Sequence, residues 1–162
     1  MIQGCMKALT HYLFSMGASL CLLSVMHNLD IHSISMAVWV SFSVNYLIDL
    51  LGHVSKNGRP VRSWLTHSVV TAPLWGALVA TVSITAALRV SHMGFSWGVT
   101  GFWSLMGVLV SEEHLFLDSL TQAGVYALGR RIAIAHFRYD NTTLNLGFAL
   151  LGTVLIIAAL GL

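Results

Sequence analysis

Apolar residues run along this chain in five long blocks separated by short polar stretches. The blocks cover about 8–26, 34–52, 67–88, 94–117 and 143–162. Each is near the roughly 20 residues a helix needs to cross a hydrocarbon core. No charge interrupts Ile34 to Ile48, Ser68 to Leu88 or Thr142 to Leu162. The pattern predicts an all-α fold: a polytopic transmembrane helical bundle of about five spans, forming one domain over residues 1–162. The first block, led by Lys7, has the look of a signal peptide. No small-x-small cleavage site precedes the polar stretch His27–His32, so it is expected to be a span.

Residues 119–142 are too apolar for a bare loop. Leu120, Val125, Leu128, Ile132 and Ile134 alternate loosely with Gln122, Arg130 and Arg131. This predicts a short amphipathic segment lying at the membrane interface, with its arginines toward headgroups. Asp140 and Asn141 are placed to cap the fifth span. Gly94-Phe-Ser-Trp-Gly98 is a small-xxx-small pattern of the kind that lets helices approach closely. There is no internal repeat and no low-complexity tract.

Composition agrees with the pattern. The 162 residues are 56% hydrophobic and 9% charged, where a soluble domain carries about 25% charged residues. A net charge of +2, with no basic cluster interleaved with aromatics, argues against a nucleic-acid partner. Cys5 and Cys21 form no framework and read as buried apolar thiols. Charge also orients the spans. Lys7, Lys56, Arg59, Arg62, Arg130, Arg131 and Arg138 fall on one side and Arg89 alone on the other. The positive-inside rule then predicts a multi-pass protein of the inner (cytoplasmic) membrane with its N-terminus in the cytoplasm.

The polar residues inside these blocks carry the candidate chemistry. His27, His32 and His92 fall near outer loop tips and read as exposed interfacial histidines. His11, Asp49, His53, His67, His114 and Asp118 all fall at the cytoplasmic ends of four spans. Asp49 and His53 are four residues apart, as are His114 and Asp118, so each pair shares a helix face. Ionisable groups in an apolar bundle are expensive and usually mark a site. Mixed imidazole and carboxylate donors suit a divalent transition metal, zinc first, with manganese or iron as alternatives. Six ligands exceed what one zinc takes, whereas two ions about 3.5–4 Å apart would use them all. Glu112 and Glu113, just before His114, are candidates for a general base or for orienting a ligand. Asn45, Thr66 and Ser68 are candidates for holding ligands in place. Arg59, Arg62, Arg130 and Arg131 could hold a phosphate, but orientation already explains them. His136 and Asp140 repeat the His-x-x-x-Asp spacing and read instead as the approach to the fifth span.

At these residues the chain resembles the YdjM-type family of predicted membrane-bound metal-dependent hydrolases. The matching pieces are His11-Tyr-Leu-Phe, Asp49-Leu-Leu-Gly-His53, Leu65-Thr-His67-Ser, His114-Leu-Phe-Leu-Asp118 and Leu120-Thr-Gln-Ala-Gly124-Val, over about residues 10–126. This chain has Asn45-Tyr-Leu-Ile-Asp49 where that family shows a Leu-Pro-Asp-x-Asp-His type stretch, and Arg62-Ser-Trp-Leu in place of its His-Arg-Gly. The family is itself distantly similar to zinc-dependent phospholipase C and P1-type nucleases. The resemblance implies metal-dependent hydrolysis of a phosphoester, and a site at the membrane face suits an amphiphilic, lipid-like substrate among membrane lipids. Two other classes compete. One is a non-catalytic membrane protein in which the His/Asp cluster binds a structural metal. The other is a metal or ion transporter, which the clustering of ligands at one end, away from the midplane, disfavours.

Overall fold

The computed structural model describes residues 6–56 and 59–162, with the side chains of 53–60 outside the description. The protein is mostly helical. Its elements are α1 (Ala8–Val25), α2 (Ile31–Gly52), β1 (His53–Lys56), β2 (Arg59–Arg62), α3 (Thr71–Val90), α4 (Trp97–Ser119), β3 (Val125–Ala127), β4 (Arg130–Ile132) and α5 (Thr142–Leu160). Helices α1, α2, α3 and α5 are long and apolar enough to cross a membrane. Helix α4 is as long, but Glu112, Glu113 and Asp118 crowd its last turns.

The helix ends follow local chemistry. Asp30 caps α2 by accepting from the backbone of His32 and Ser33, each at 2.8 Å, which starts that helix three residues before the apolar block suggests. Ser96 caps α4, accepting from Val99 N, and Asn141 caps α5, accepting from Leu144 N. Asp140, the other expected cap, instead pairs with Arg138 at 3.0 Å on the surface. Helix α3 begins four residues later than expected. The stretch Thr66-His67-Ser68 is a turn ending in a single bridge to Tyr126 instead: His67 O accepts from Tyr126 N, and Val69 N donates to Tyr126 O.

The interior mixes an apolar core with buried polar side chains, and the outer faces are apolar. Thr10, Ser15, Ser19, Ser41, Asn45, Ser111 and Asn145 are buried, while Leu74, Leu78 and Val82 on α3 and Leu146, Leu150 and Val154 on α5 are exposed. A protein solvated by water shows few such exposed apolar faces. Helices α1 to α4 form the core of the bundle, and α5 lies against α1.

Close approach falls at two glycine pairs. A Cβ on Gly76 of α3 would overlap the Gly107 carbonyl of α4, and the reverse holds too; between α1 and α5 a Cβ on Gly17 would overlap the Gly152 carbonyl, and one on Gly152 the Leu13 carbonyl. The pattern at Gly94 and Gly98 does not do this. A Cβ on either would touch nothing, because Gly94 precedes the Ser96 cap and the two do not share a helix face. Cys21 is half-buried and donates to the Leu155 carbonyl at 3.3 Å; Cys5 lies outside the described residues.

Two antiparallel hairpins sit at one end of the bundle. The first pairs His53 with Arg62 through Lys56 with Arg59. The second pairs Val125 with Ile132 and turns on Leu128 and Gly129, both at positive φ (49° and 76°). Two successive positive φ values make the tight turn whose twist suits a hairpin. Within 119–142 this short hairpin is flanked by turns and one isolated bridge, Thr121 with Phe137, and Val125 is buried while Arg130 and Arg131 are exposed.

Candidate metal centre

Alternating helix directions bring the N-terminal turn of α1, the C-terminal turns of α2 and α4 and the approach to α3 to one end. There His11, Asp49, His67, His114 and Asp118 converge. Two sets of potential ligand atoms lie mutually within 4.8 Å: His11, His114 and Asp118, and Asp49, His67 and His114.

The distances define the centre. His114 Nε2 lies 3.6 Å from Asp49 Oδ1 and 3.4 Å from Asp118 Oδ2. His67 Nε2 lies 4.0 Å and 3.3 Å from the same two oxygens. His11 Nε2 lies 3.4 Å from the other oxygen, Asp118 Oδ1, and its ring stacks on His114 with centroids 4.1 Å apart. A tetrahedral ion with bonds of about 2.0–2.2 Å spaces its ligands by about 3.3–3.6 Å. Three of the four His67/His114 nitrogen–oxygen separations fall in that range, and the fourth is slightly longer.

Neighbouring polar groups set the proton on two of the three imidazoles. Asn45 Nδ2 donates to Ser15 Oγ at 2.8 Å and to Ser41 O at 2.7 Å, so its Oδ1 is the acceptor toward His114 Nδ1 at 2.8 Å. His114 therefore carries its proton on Nδ1 and turns the Nε2 lone pair to the carboxylates. Thr66 works the same way. Its hydroxyl donates to Ile48 O at 3.0 Å, leaving oxygen lone pairs to receive His67 Nδ1 at 3.1 Å. In the His114 case a lone pair and carboxylate oxygens face each other across 3.4–3.6 Å without hydrogen bonding. These separations are ion pairs when the imidazole is protonated, and they suit a shared cation when it is not.

Asp118 has a further partner. Arg62 Nη2 lies 2.6 Å from Asp118 Oδ1, and Nη1 donates to Gly124 O at 2.6 Å and toward Asp118 O and Thr121 Oγ1. Both side chains are buried, at 4% and 0% exposure. Asp49, at 17%, is the more exposed of the carboxylates. Gly52, the last residue of α2, makes room: a Cβ there would overlap the His67 ring and Thr66 Oγ1.

Of the residues expected from sequence, five meet here. His53 begins β1 one residue past the end of α2, so helical spacing from Asp49 no longer applies, and its side chain lies outside the described residues. Glu112 and Glu113 fall in neither ligand set. Glu112 lines an apolar groove with Leu115, Phe116, Val125 and Ile132, and Glu113 Oε2 is buried without a hydrogen bond. Asn45 and Thr66 hold ligands as expected. Ser68 does not; it accepts from Val70 N in the turn before α3. His27, His32, His92 and His136 are all exposed. Two residues were missed. Gly52 gave no signal, and Arg62 was absorbed into the charge count.

The family described as protein of unknown function (DUF1286) matches residues 6–117, a stretch that holds His11, Asp49, His67 and His114 and stops one residue short of Asp118. No curated protein and no solved structure matches the chain.

Proposed function

The chain belongs to the DUF1286 family, whose function is unknown, and we propose that it is an integral membrane metal-dependent hydrolase. Its substrate class is a phosphoester in an amphiphilic, lipid-like molecule, cleaved at the cytoplasmic face of the cell membrane. The observation that carries this reading is the His114 lone pair, fixed by Asn45 and aimed at Asp49 and Asp118. The same imidazole and carboxylate donors suit zinc, with manganese and iron(II) as competitors.

Asp49, His67, His114 and Asp118 would hold a divalent ion there, which would supply an acidified water and a Lewis acid for a phosphoryl oxygen. The chain does the rest. Asn45 and Thr66 hold two imidazoles in the tautomer that can ligate. Asp49, partly exposed, marks the side from which a substrate reaches the cluster. Glu113, half-buried with its Oε2 shielded one residue before His114, stays a candidate acid or base, with Glu112 beside it at the groove. The resemblance to YdjM-type hydrolases supports the same reaction class.

Apolar outer faces support five spans, α4 included through its packing on α3. The basic residues that remain exposed beside the site, Arg130, Arg131 and Arg138, support a cytoplasmic site and N-terminus.

Near-complete burial of His11, His67, His114 and Asp118 favours a second reading, a metal that only staples four helix ends. Purified full-length protein in detergent decides. Elemental analysis should find bound transition metal, lost in the double variant His114→Ala, Asp118→Ala. A panel of lipid and soluble phosphoesters should be hydrolysed, and His67→Ala should abolish turnover while helicity persists. Metal-free wild type sinks the metal reading. Metal without turnover, together with unfolding on chelation, leaves the staple.

A further inference from the structure

Two ions would use the whole ligand set, but Arg62 changes what Asp118 can do. A carboxylate bridging two ions gives one oxygen to each. Asp118 Oδ2 faces His67 and His114, while Oδ1 faces His11 and receives Arg62 Nη2 at 2.6 Å. The guanidinium is not a loose surface cation. It is buried and tied to Gly124 O, Asp118 O and Thr121 Oγ1 on the loop after α4. The β2 strand that carries it is in turn held to that loop, through Tyr126 Oη donating to Arg62 O at 3.3 Å.

Charge points the same way. Asp49 and Asp118 bring two negative charges to this buried cluster, and Arg62 brings one positive. One divalent ion leaves a single excess positive charge, which one anionic oxygen ligand neutralises. Two would leave three positive charges in a low-dielectric interior, where uncompensated charge is costly.

We infer that the centre takes one divalent ion, between His67, His114, Asp49 and Asp118, and that the Arg62 guanidinium fills the place on Asp118 Oδ1 that a second ion would occupy. This rests on the metal-binding reading above. Arg62 is thus a positioning residue, fixing Asp118 so that Oδ2 points at the ion.

The test is metal stoichiometry on full-length protein in detergent, loaded with zinc or manganese. Wild type should hold one equivalent, and its manganese form should give the paramagnetic resonance hyperfine pattern of an isolated ion. Arg62→Lys should stay at one equivalent. Arg62→Ala, which frees Oδ1 beside His11, should rise to two under saturating metal. Two equivalents or an exchange-coupled signal in wild type overturns this inference and leaves the metal reading intact. No metal in wild type overturns both. A folded Arg62→Ala that stays at one overturns the role given to Arg62. If that variant does not fold, the wild-type resonance signal still decides the ion count.

Discussion

Histidines stand at both ends of this bundle, and the two ends treat them in opposite ways. At one end His11, His67 and His114 are buried, and Asn45 and Thr66 fix the proton on two of them. At the other end His27, His32 and His92 are exposed. His27 and His92 do backbone work there, turning the chain out of α1 and α3 at φ 53° and 54°. Their amides bond back to Ser24 O and Arg89 O, as a left-handed residue after a helix does. The residue type is the same. What differs is whether a facing helix brings a carboxylate and whether a second polar side chain holds the far ring nitrogen.

The comparison breaks most visibly at Asp118. Asp118→Ala leaves the buried Arg62 charge without its carboxylate and should cost about 3–5 kcal/mol. Denaturation in detergent would show it, together with loss of bound metal. A variant as stable and as metal-loaded as wild type would make the two ends equivalent. Gly52→Ala comes next. Its methyl group would displace the His67 ring and cost about 1–3 kcal/mol by overpacking, with loss of metal read by elemental analysis. Asn45→Leu keeps the branched shape but frees His114 to choose its tautomer. Metal affinity should fall about 10–100-fold in a competition titration, with little change in helicity.

At the other end the effects are small. His27→Gly and His92→Gly relieve a left-handed backbone at the cost of unfolded-chain entropy, so stability should move within about 1 kcal/mol. Metal content should not move at all, and a drop in it would join the two ends. The smallest effect belongs to Asp30, whose carboxyl is held below its ordinary pKa chiefly by the Ser33 backbone N–H. A depressed folded pKa gives stability that is present above the ordinary aspartate range and lost as pH falls through the folded value. Melting curves of wild type and Asp30→Ala should therefore differ at neutral pH and converge in acid.

The helices were legible because uninterrupted apolar runs of this length have few other uses. Their starts were less so. His67 and Ser68 read as the start of a span, and only the backbone bonds to Tyr126 show why α3 begins at Thr71. Spacing found His114 and Asp118, since one helix carries both. Spacing misjudged Asp49 and His53, because α2 stops between them. Arg62 was hidden by its own sign: a basic residue in a basic loop satisfies the orientation rule whether it faces water or a buried carboxylate. Gly52 was hidden because close approach of an imidazole is a tertiary fact. The hairpin of β3 and β4 was written as alternation around Leu128-Gly129, a signal that an amphipathic interfacial segment shares.

Helix α5 contributes no residue to either ligand set, yet it anchors the turn that carries His11. It packs on α1 through Gly17 and Gly152. Its Asn145 accepts from Lys7 N at 2.9 Å and from Thr10 Oγ1 at 3.1 Å. Thr10 and Asn145 are 135 residues apart in the sequence, and Thr10 immediately precedes His11. A ribosome adding about 5–20 residues per second therefore leaves a gap of many seconds between the emergence of α1 and of its anchor. During that interval α1 has α2 and α4 to pack on but lacks the Asn145 contacts that hold Lys7 and Thr10, beside His11.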